Sequence, residues 1–325
     1  MLTTSRKITN FEKAFTLTDE ACQFAIETEK SSFLPTLIGN IKKSFVGLNL
    51  KLLGNELIYE KTDIPVYSLP KNIKTCQDAS SYIDQHFPIN SSKALCNLAA
   101  NDNIVVINAS HMIYDGGFFV DVFPRLYNTS EDENYLQLHS PRKIPITPNE
   151  IFPSEFSNKN MKKLIQRHFE DLQYIPCVNR SSTIDPTLDP NCKCISHSYE
   201  TPATEYQFLH NKMGLTDMYW SLIPLNLMAM EGKLLSDFGV LCCVDFRQFM
   251  NKKDINRLVT QNLTEINLAV RDVKPTFTVR QVGKLLRDRF NSMKKDGSVF
   301  ASFTALHGGF FDRGPVLLPE LSNIG

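Results

Sequence analysis

Along the chain, stretches whose apolar residues recur at helical spacing give way to short runs in which apolar and polar residues alternate. These are the two periods that separate helices from half-buried strands. Thr18 to Lys30 reads as a helix, with Thr18 as its cap and Asp19 and Glu20 in the first turn, where carboxylates offset the free N–H groups. Ser44 to Tyr59 alternates on either side of Gly54-Asn55 and predicts a hairpin. Thr75 to Phe87 predicts a second helix, and Ala94 to Ala100 with Ile104 to Ala109 predict another hairpin around Asn101-Asp102-Asn103. An amphipathic run through Phe118, Phe119, Val122, Phe123 and Leu126 starts at Asp115-Gly116, so a strand-to-helix junction is expected there.

Two less regular segments follow. Tyr127 to Pro148 is polar and reads as a surface connection, and Pro176 to Asn191 is a crossing rich in Pro, Ser and Asp, with a helix expected over Met161 to Leu172 between them. They bracket a lobe boundary: a first lobe over 1–150, a helix and crossover linker over 151–193, and a second lobe over 194–325. The length of 325 residues suits that division, because single cores rarely grow past about 250 to 300 residues. In the second lobe Cys194 to Glu200 alternates like a strand, and Thr204 to Lys212 and Leu215 to Met230 read as helices broken at Gly214. Phe238 to Phe246 is a nearly continuous apolar strand of the kind buried on both faces. Thr278 to Lys294 has the helical period, with Val279, Val282, Leu285, Leu286 and Phe290 on one side and mostly basic residues on the other.

Composition narrows the function classes. Lys plus Arg equals Asp plus Glu at 35 each, so the chain as a whole carries no field of one sign to hold nucleic acid or an anionic membrane. Apolar residues reach 42%, enough for a sizeable core. No apolar run follows the charges of the N-terminus, and the longest apolar stretch, Tyr219 to Met230, is interrupted by Ser221, Pro224 and Asn226 and is too short to span a bilayer. A soluble, cytoplasmic protein is expected, with its eight cysteines reduced. Cys192-Lys193-Cys194 and Cys242-Cys243 lack the spacing of a structural zinc site, so no metal is expected.

The candidate chemistry lies just past the apolar strand Ile104-Val105-Val106-Ile107. His111 follows it, and Gly116-Gly117 begins five residues later, which puts an imidazole at the rim of a sheet. Imidazole is suited to taking a proton near neutrality from an alcohol or amine that attacks a thioester carbonyl. Asp115, at the start of a helix, can cap it and can hold an arginine that fixes the loop. A histidine four residues before an aspartate is also a common coincidence, and Asp-Gly is the ordinary turn dipeptide, so this spacing alone more often marks a surface or core histidine.

Several further features stand in a particular order. Arg6-Lys7-Ile8 is followed by Glu12-Lys13-Ala14-Phe15, then by the HxxxDG motif at His111 to Gly116, Thr216-Asp217 before an apolar helix, Val244-Asp245-Phe246-Arg247, and Leu321-Ser322-Asn323-Ile324-Gly325. The pattern resembles the chloramphenicol acetyltransferase-like superfamily of CoA-dependent acyltransferases, which includes the condensation domains of nonribosomal peptide synthetases. Its alcohol acetyltransferase branch is the most similar. The resemblance implies an α+β fold of two lobes with mixed sheets and a tunnel between them, and transfer of an acyl group from acyl-CoA to a small alcohol or amine with no bound cofactor. It makes His111 the general base, Asp115 a structural residue held by Arg247, Gly116 the close turn of the motif, and Ser322 and Asn323 contacts to the oxyanion or substrate.

Three departures qualify this picture. Ser110 stands where peptide-forming condensation domains carry a second histidine, which argues against condensation on a carrier protein. Asp237-Phe238-Gly239 precedes the D-x-R element instead of following it and reads as strand sequence. Superfamily members continue past the S-N-I-G strand, so either a shortened second lobe, folding alone or completed by a partner, or an incomplete active site is expected. The competing expectation is a catalytically impaired member that acts as a binding or scaffold protein.

Overall fold

The computed structural model describes residues 4–18, 21–127, 144–176, 178–179, 214–250, 261–306, 316–317 and 320–321. They fall into two compact units, Met1–Pro153 with Asp245–Leu263 and Ile324–Gly325, and Ser154–Val244 with Thr264–Asn323. The helix Met161–Leu172, expected in a linker, thus belongs to the second unit, and the segment from Asp245, expected in the second lobe, returns to the first.

The first unit contains β1 (Ser5–Lys7), α1 (Asn10–Thr18), β2 (Ala21–Glu27), α2 (Leu34–Ser44), β3 (Leu50–Leu53), β4 (Glu56–Tyr59), β5 (Tyr67–Ser68), α3 (Cys76–His86), β6 (Cys96–Ala100), β7 (Ile104–Ser110), α4 (Gly116–Leu126) and α5 (Pro148–Ile151). One sheet has the order β1-β4-β3, and a second has the order β2-β7-β6-β5, in which β5 runs parallel to β6. Both predicted hairpins form. Gly54, at φ 59°, makes the turn between β3 and β4 in the left-handed region open to glycine. Between β6 and β7 the Asn101 side chain accepts from the backbone N–H of Asn103 and Ile104 at 3.0 and 2.9 Å, closing that turn locally. The predicted helix at Thr75 also stands, its hydroxyl accepting from Asp78 N–H at the N-cap of α3.

Burial on both faces explains why β7 opens with an unbroken apolar run, Ile104 to Ile107. Val105, Ile107 and Ala109 join a core with Leu37, Phe45 and Phe118, while Ile104 and Val106 pack on the other face with Ala79 and Ile83. Each of the Val, Leu, Ile and Phe side chains among them contributes about 1.5–3 kcal/mol on burial. The strand is therefore rigid where it delivers the residues that follow.

The helix expected from Thr18 to Lys30 does not form. Thr18 ends α1, and Ala21–Glu27 is β2, paired antiparallel with β7 from Ala21↔Ser110 to Glu27↔Ile104. Cys22, Phe24 and Ile26 alternate onto the core that β7 lines. Ladder hydrogen bonds and cross-strand packing along seven residues decide the segment, which local helix propensity does not foresee. Of the connection expected on the surface, the described end at 144–148 is buried, with Ile144 in the core. Arg6 Nε donates to Pro145 O there, and its guanidinium makes a two-point ion pair with buried Glu12.

From Pro153 onward come α6 (Pro153–Phe156), α7 (Met161–Leu172), β8 (Val178–Asn179), α8 (Leu215–Met230), β9 (Phe238–Asp245), β10 (Leu263–Val270), α9 (Val279–Asp296), α10 (Ser298–Leu306), β11 (Val316–Leu317) and β12 (Glu320–Leu321). The sheet β10-β9-β12 includes a parallel β9–β12 pair, and β11 pairs with β8. In β9 a Cβ at Gly239 would fall 2.4 Å from Leu268 O, so glycine is required for that close strand approach. Helix α8 packs its Trp220 against the sheet, with Nε1 donating to Cys242 Sγ at 3.1 Å. Thr278 caps α9 in a capping box with Gln281. The strand expected over Cys194 to Glu200 and the helix over Thr204 to Lys212 lie outside the described residues. Among the described residues no helix is long and apolar enough to cross a membrane.

Candidate functional site

Strand β7 ends at Ser110, and the chain turns at once. Ser110 O accepts from Ile113 N–H at 3.1 Å and Ser110 Oγ from Met112 N–H at 3.3 Å, which places His111 in the turn. The next four side chains anchor this turn: Met112, Ile113, Tyr114 and Asp115 are each at most 1% exposed. Tyr114 packs among Phe45 and Phe118, and its hydroxyl accepts from Gly47 N–H at 2.8 Å. A Cβ at Gly47 would lie 2.6 Å from Cys96 Sγ and 2.9 Å from the Tyr114 ring, so glycine permits that seat. Burial pushes the Tyr114 hydroxyl and the Cys96 thiol upward, keeping both neutral.

His111 is half-buried, in contrast to the residues after it. Its ring stacks on Phe15 of α1, with centroids 4.6 Å apart at 23°. Its Nδ1 is buried without a hydrogen-bond partner among the described residues.

Asp115 caps α4 as expected, its Oδ1 accepting from Phe118 N–H at 2.8 Å. The same oxygen accepts from Arg247 Nη1 at 2.8 Å, and Oδ2 accepts from Asn262 N–H at 2.5 Å. The structure thus brings Asp115 and Arg247 together. Arg247 lies in the turn after β9, where Asp245 Oδ1 accepts from its N–H at 2.8 Å and from Nη1 at 3.2 Å, and Asp121 Oδ2 is 3.6 Å from Nε. Burial lowers the Arg247 pKa, but the charges of Asp115, Asp245 and Asp121 outweigh it and hold the guanidinium above its ordinary value. Asp245 is pushed up, first by loss of water around its carboxylate, against the opposing pull of Arg247.

The close approach falls at Gly117. A Cβ there would meet Arg247 Nη1 at 2.6 Å and Asp245 Oδ2 at 2.7 Å. Gly116 takes the first helical position of α4 and is not among the left-handed glycines. Gly117, Asp245 and Asn262 belong to the site and were not picked out as site residues by the sequence. The Gly116-Gly117 pair carried a signal for the first. Asn262 contributes only its backbone N–H to Asp115, for which no side-chain signal exists. Ser322 and Asn323 lie outside the described residues. Among the described residues no group of three or more His, Cys, Asp or Glu side chains is placed to hold a metal.

No protein-family model matches the sequence, and no curated protein matches it. Solved structures do match. The first condensation domain of the CDA synthetase superposes with a TM-score of 0.65 at 12% identity over 98% of this chain and 80% of that one. This chain has the condensation-domain fold. Polyketide synthase associated protein 5 from Mycobacterium tuberculosis matches over 98% of this chain and 79% of that one, with a TM-score of 0.60 at 12% identity. The cyclization-docking bidomain of the EpoB nonribosomal peptide synthetase from Sorangium cellulosum matches with a TM-score of 0.58 at 10% identity, over 98% of this chain and 70% of that one. The condensation-domain fold agrees with the α+β architecture and mixed sheets expected above. A shared fold at such identities leaves the chemistry to be argued from the site.

Proposed function

We propose that this chain transfers an acyl group from a thioester to a small alcohol or amine, with His111 as the general base. One observation carries the reading: four consecutive buried side chains and the Asp115–Arg247 pair fix the turn from both directions, and His111, the residue just before them, is only half-buried. An imidazole held on so rigid a support is preorganised to meet a substrate.

In this mechanism the His111 imidazole takes the acceptor's proton as its oxygen or nitrogen attacks the thioester carbonyl. The tetrahedral intermediate then expels the thiolate, which recovers the proton from the imidazolium. The products are an ester or amide and a free thiol, and no covalent enzyme intermediate is required. Asp115 does not act as a proton acceptor, because both its oxygens are engaged by Arg247, Phe118 and Asn262. Acyl-CoA is the donor favoured by the alcohol acetyltransferase resemblance, and Ser110 in place of a second histidine disfavours a peptide-forming role. Ser322 and Asn323 are assigned to the oxyanion on the same resemblance.

A second reading, a binding or scaffold protein on the same fold, draws on a different observation. Among the described residues no partner orients the buried Nδ1 of His111. Thiol release from acetyl-CoA, measured with a panel of alcohols and amines for the wild type and His111→Ala, decides between them. Loss of release in the variant supports the first reading, and equal rates in the two proteins support the second.

A further inference from the structure

The second unit holds a cleft of about 580 Å³ between α7, the end of β10 and α9. That volume lies within the range of small-molecule sites. Lys163 and Arg167 line it from α7, one turn apart on one face, Arg271 stands just past β10, and Arg289 comes from α9. Against these four cations the lining offers Glu170 and Asp171. Arg167 Nη1 also lies 3.3 Å from Asp296 Oδ2, so cations outnumber carboxylates even when Asp296 is counted.

Asp171 organises the basic wall. Its carboxylate is 5% exposed and is flanked by Arg271 Nη2 at 3.4 Å and by Arg289 Nη2 in direct contact. One carboxylate thus orients two guanidinium groups and neutralises one of them. Arg271 is braced further by the Tyr174 ring, 4.6 Å below its Cζ. Arg289 Nη1 is buried and has no hydrogen-bond partner among the described residues. A buried N–H of a charged group left without an acceptor is costly, and an anion in the cleft would supply one. Leu164, Val270 and Leu285 provide an apolar flank.

We infer that this cleft binds a terminal phosphate monoester attached to a small organic body. Two arginines held in fixed orientation by a shared carboxylate suit the tetrahedral oxygens of a dianion, and Lys163 adds a point charge. The inference does not rest on the acyl-transfer reading, because no residue of the His111 site lines the cleft.

Calorimetric titration of the full chain with inorganic phosphate, glycerol 3-phosphate and, as a neutral control, glycerol tests it. Glycerol 3-phosphate is expected to bind and glycerol not to, with affinity falling as salt rises. Arg271→Gln and Lys163→Gln, both outside the Asp171–Arg289 contact, should each weaken binding about tenfold, as loss of a charge-assisted hydrogen bond implies. Arg289→Lys, which keeps the charge beside Asp171 but removes the fork, should weaken it as well, with circular dichroism and melting confirming the fold. Coenzyme A, which also carries a phosphate monoester, separates the sources: binding lost in dephospho-coenzyme A and in Arg271→Gln would assign the cleft to the coenzyme's phosphate, and tighter binding of glycerol 3-phosphate would assign it to a free metabolite. Binding of none of these probes, or binding unchanged in Arg271→Gln and Lys163→Gln, overturns the inference.

Discussion

Asp115 Oδ1 accepts a hydrogen bond from Arg247 Nη1 at 2.8 Å, joining positions 132 residues apart. The carboxylate is 2% exposed and the guanidinium 12%, so the pair is screened from water. It ties the first turn of α4, which Asp115 caps, to the turn after β9.

Asp115→Asn should destabilise the protein by about 3–5 kcal/mol, the range for breaking a buried ion pair by removing one partner. The amide keeps one acceptor but leaves Arg247 short of charge and presents a donor to the N–H of Phe118 or Asn262. Urea unfolding checks the magnitude. A variant with intact stability and an altered pH profile of turnover would contradict a purely structural role.

Gly117→Ala should destabilise although alanine favours helices by about 1 kcal/mol over glycine. The new methyl would lie 2.6 Å from Arg247 Nη1, and such overpacking costs about 1–3 kcal/mol. Gly39→Ala in α2, where a Cβ would meet nothing within 4 Å, is the control and should cost less. Thermal melts of the two variants give the comparison.

Asp245 titrates above its ordinary value of 3.8, chiefly because burial disfavours its charge. A carboxyl raised on folding adds stability that is full below 3.8 and is lost as pH rises through its folded pKa. Asp245→Asn should therefore cost less at neutral pH than Asp115→Asn, and its effect relative to wild type should change in the acid range between 3.8 and that folded value. Unfolding free energies measured across that range would show the shift, and a flat difference would refute it.

Tyr114 and Cys96 are held neutral by burial, with the Tyr114 value well above its ordinary 10.0. Their contribution is full below their ordinary values and declines at higher pH, as the unfolded chain ionises first. Tyr114→Phe should flatten the alkaline loss of stability. It should also cost about 1–3 kcal/mol at neutral pH by leaving Gly47 N–H without its acceptor. Chemical denaturation at neutral and alkaline pH separates the two effects.

Local signals in the sequence determined the cap at Asp115, the helices that begin at Thr75 and Thr278, the hairpins turning at Gly54 and Asn101 to Asn103, and the place of His111 just past β7. These features depend on residues within a few positions of one another, so periodicity and side-chain chemistry suffice to read them. The resemblance carried Arg247 to Asp115, but composition and spacing did not. Tertiary structure decided that Ala21–Glu27 is a strand, that the end of the polar connection is buried, that Gly117 is where the close approach falls, and that Asn262 completes the Asp115 site. Each of these depends on partners distant along the chain or on backbone groups common to all residues, and neither leaves a mark in local pattern.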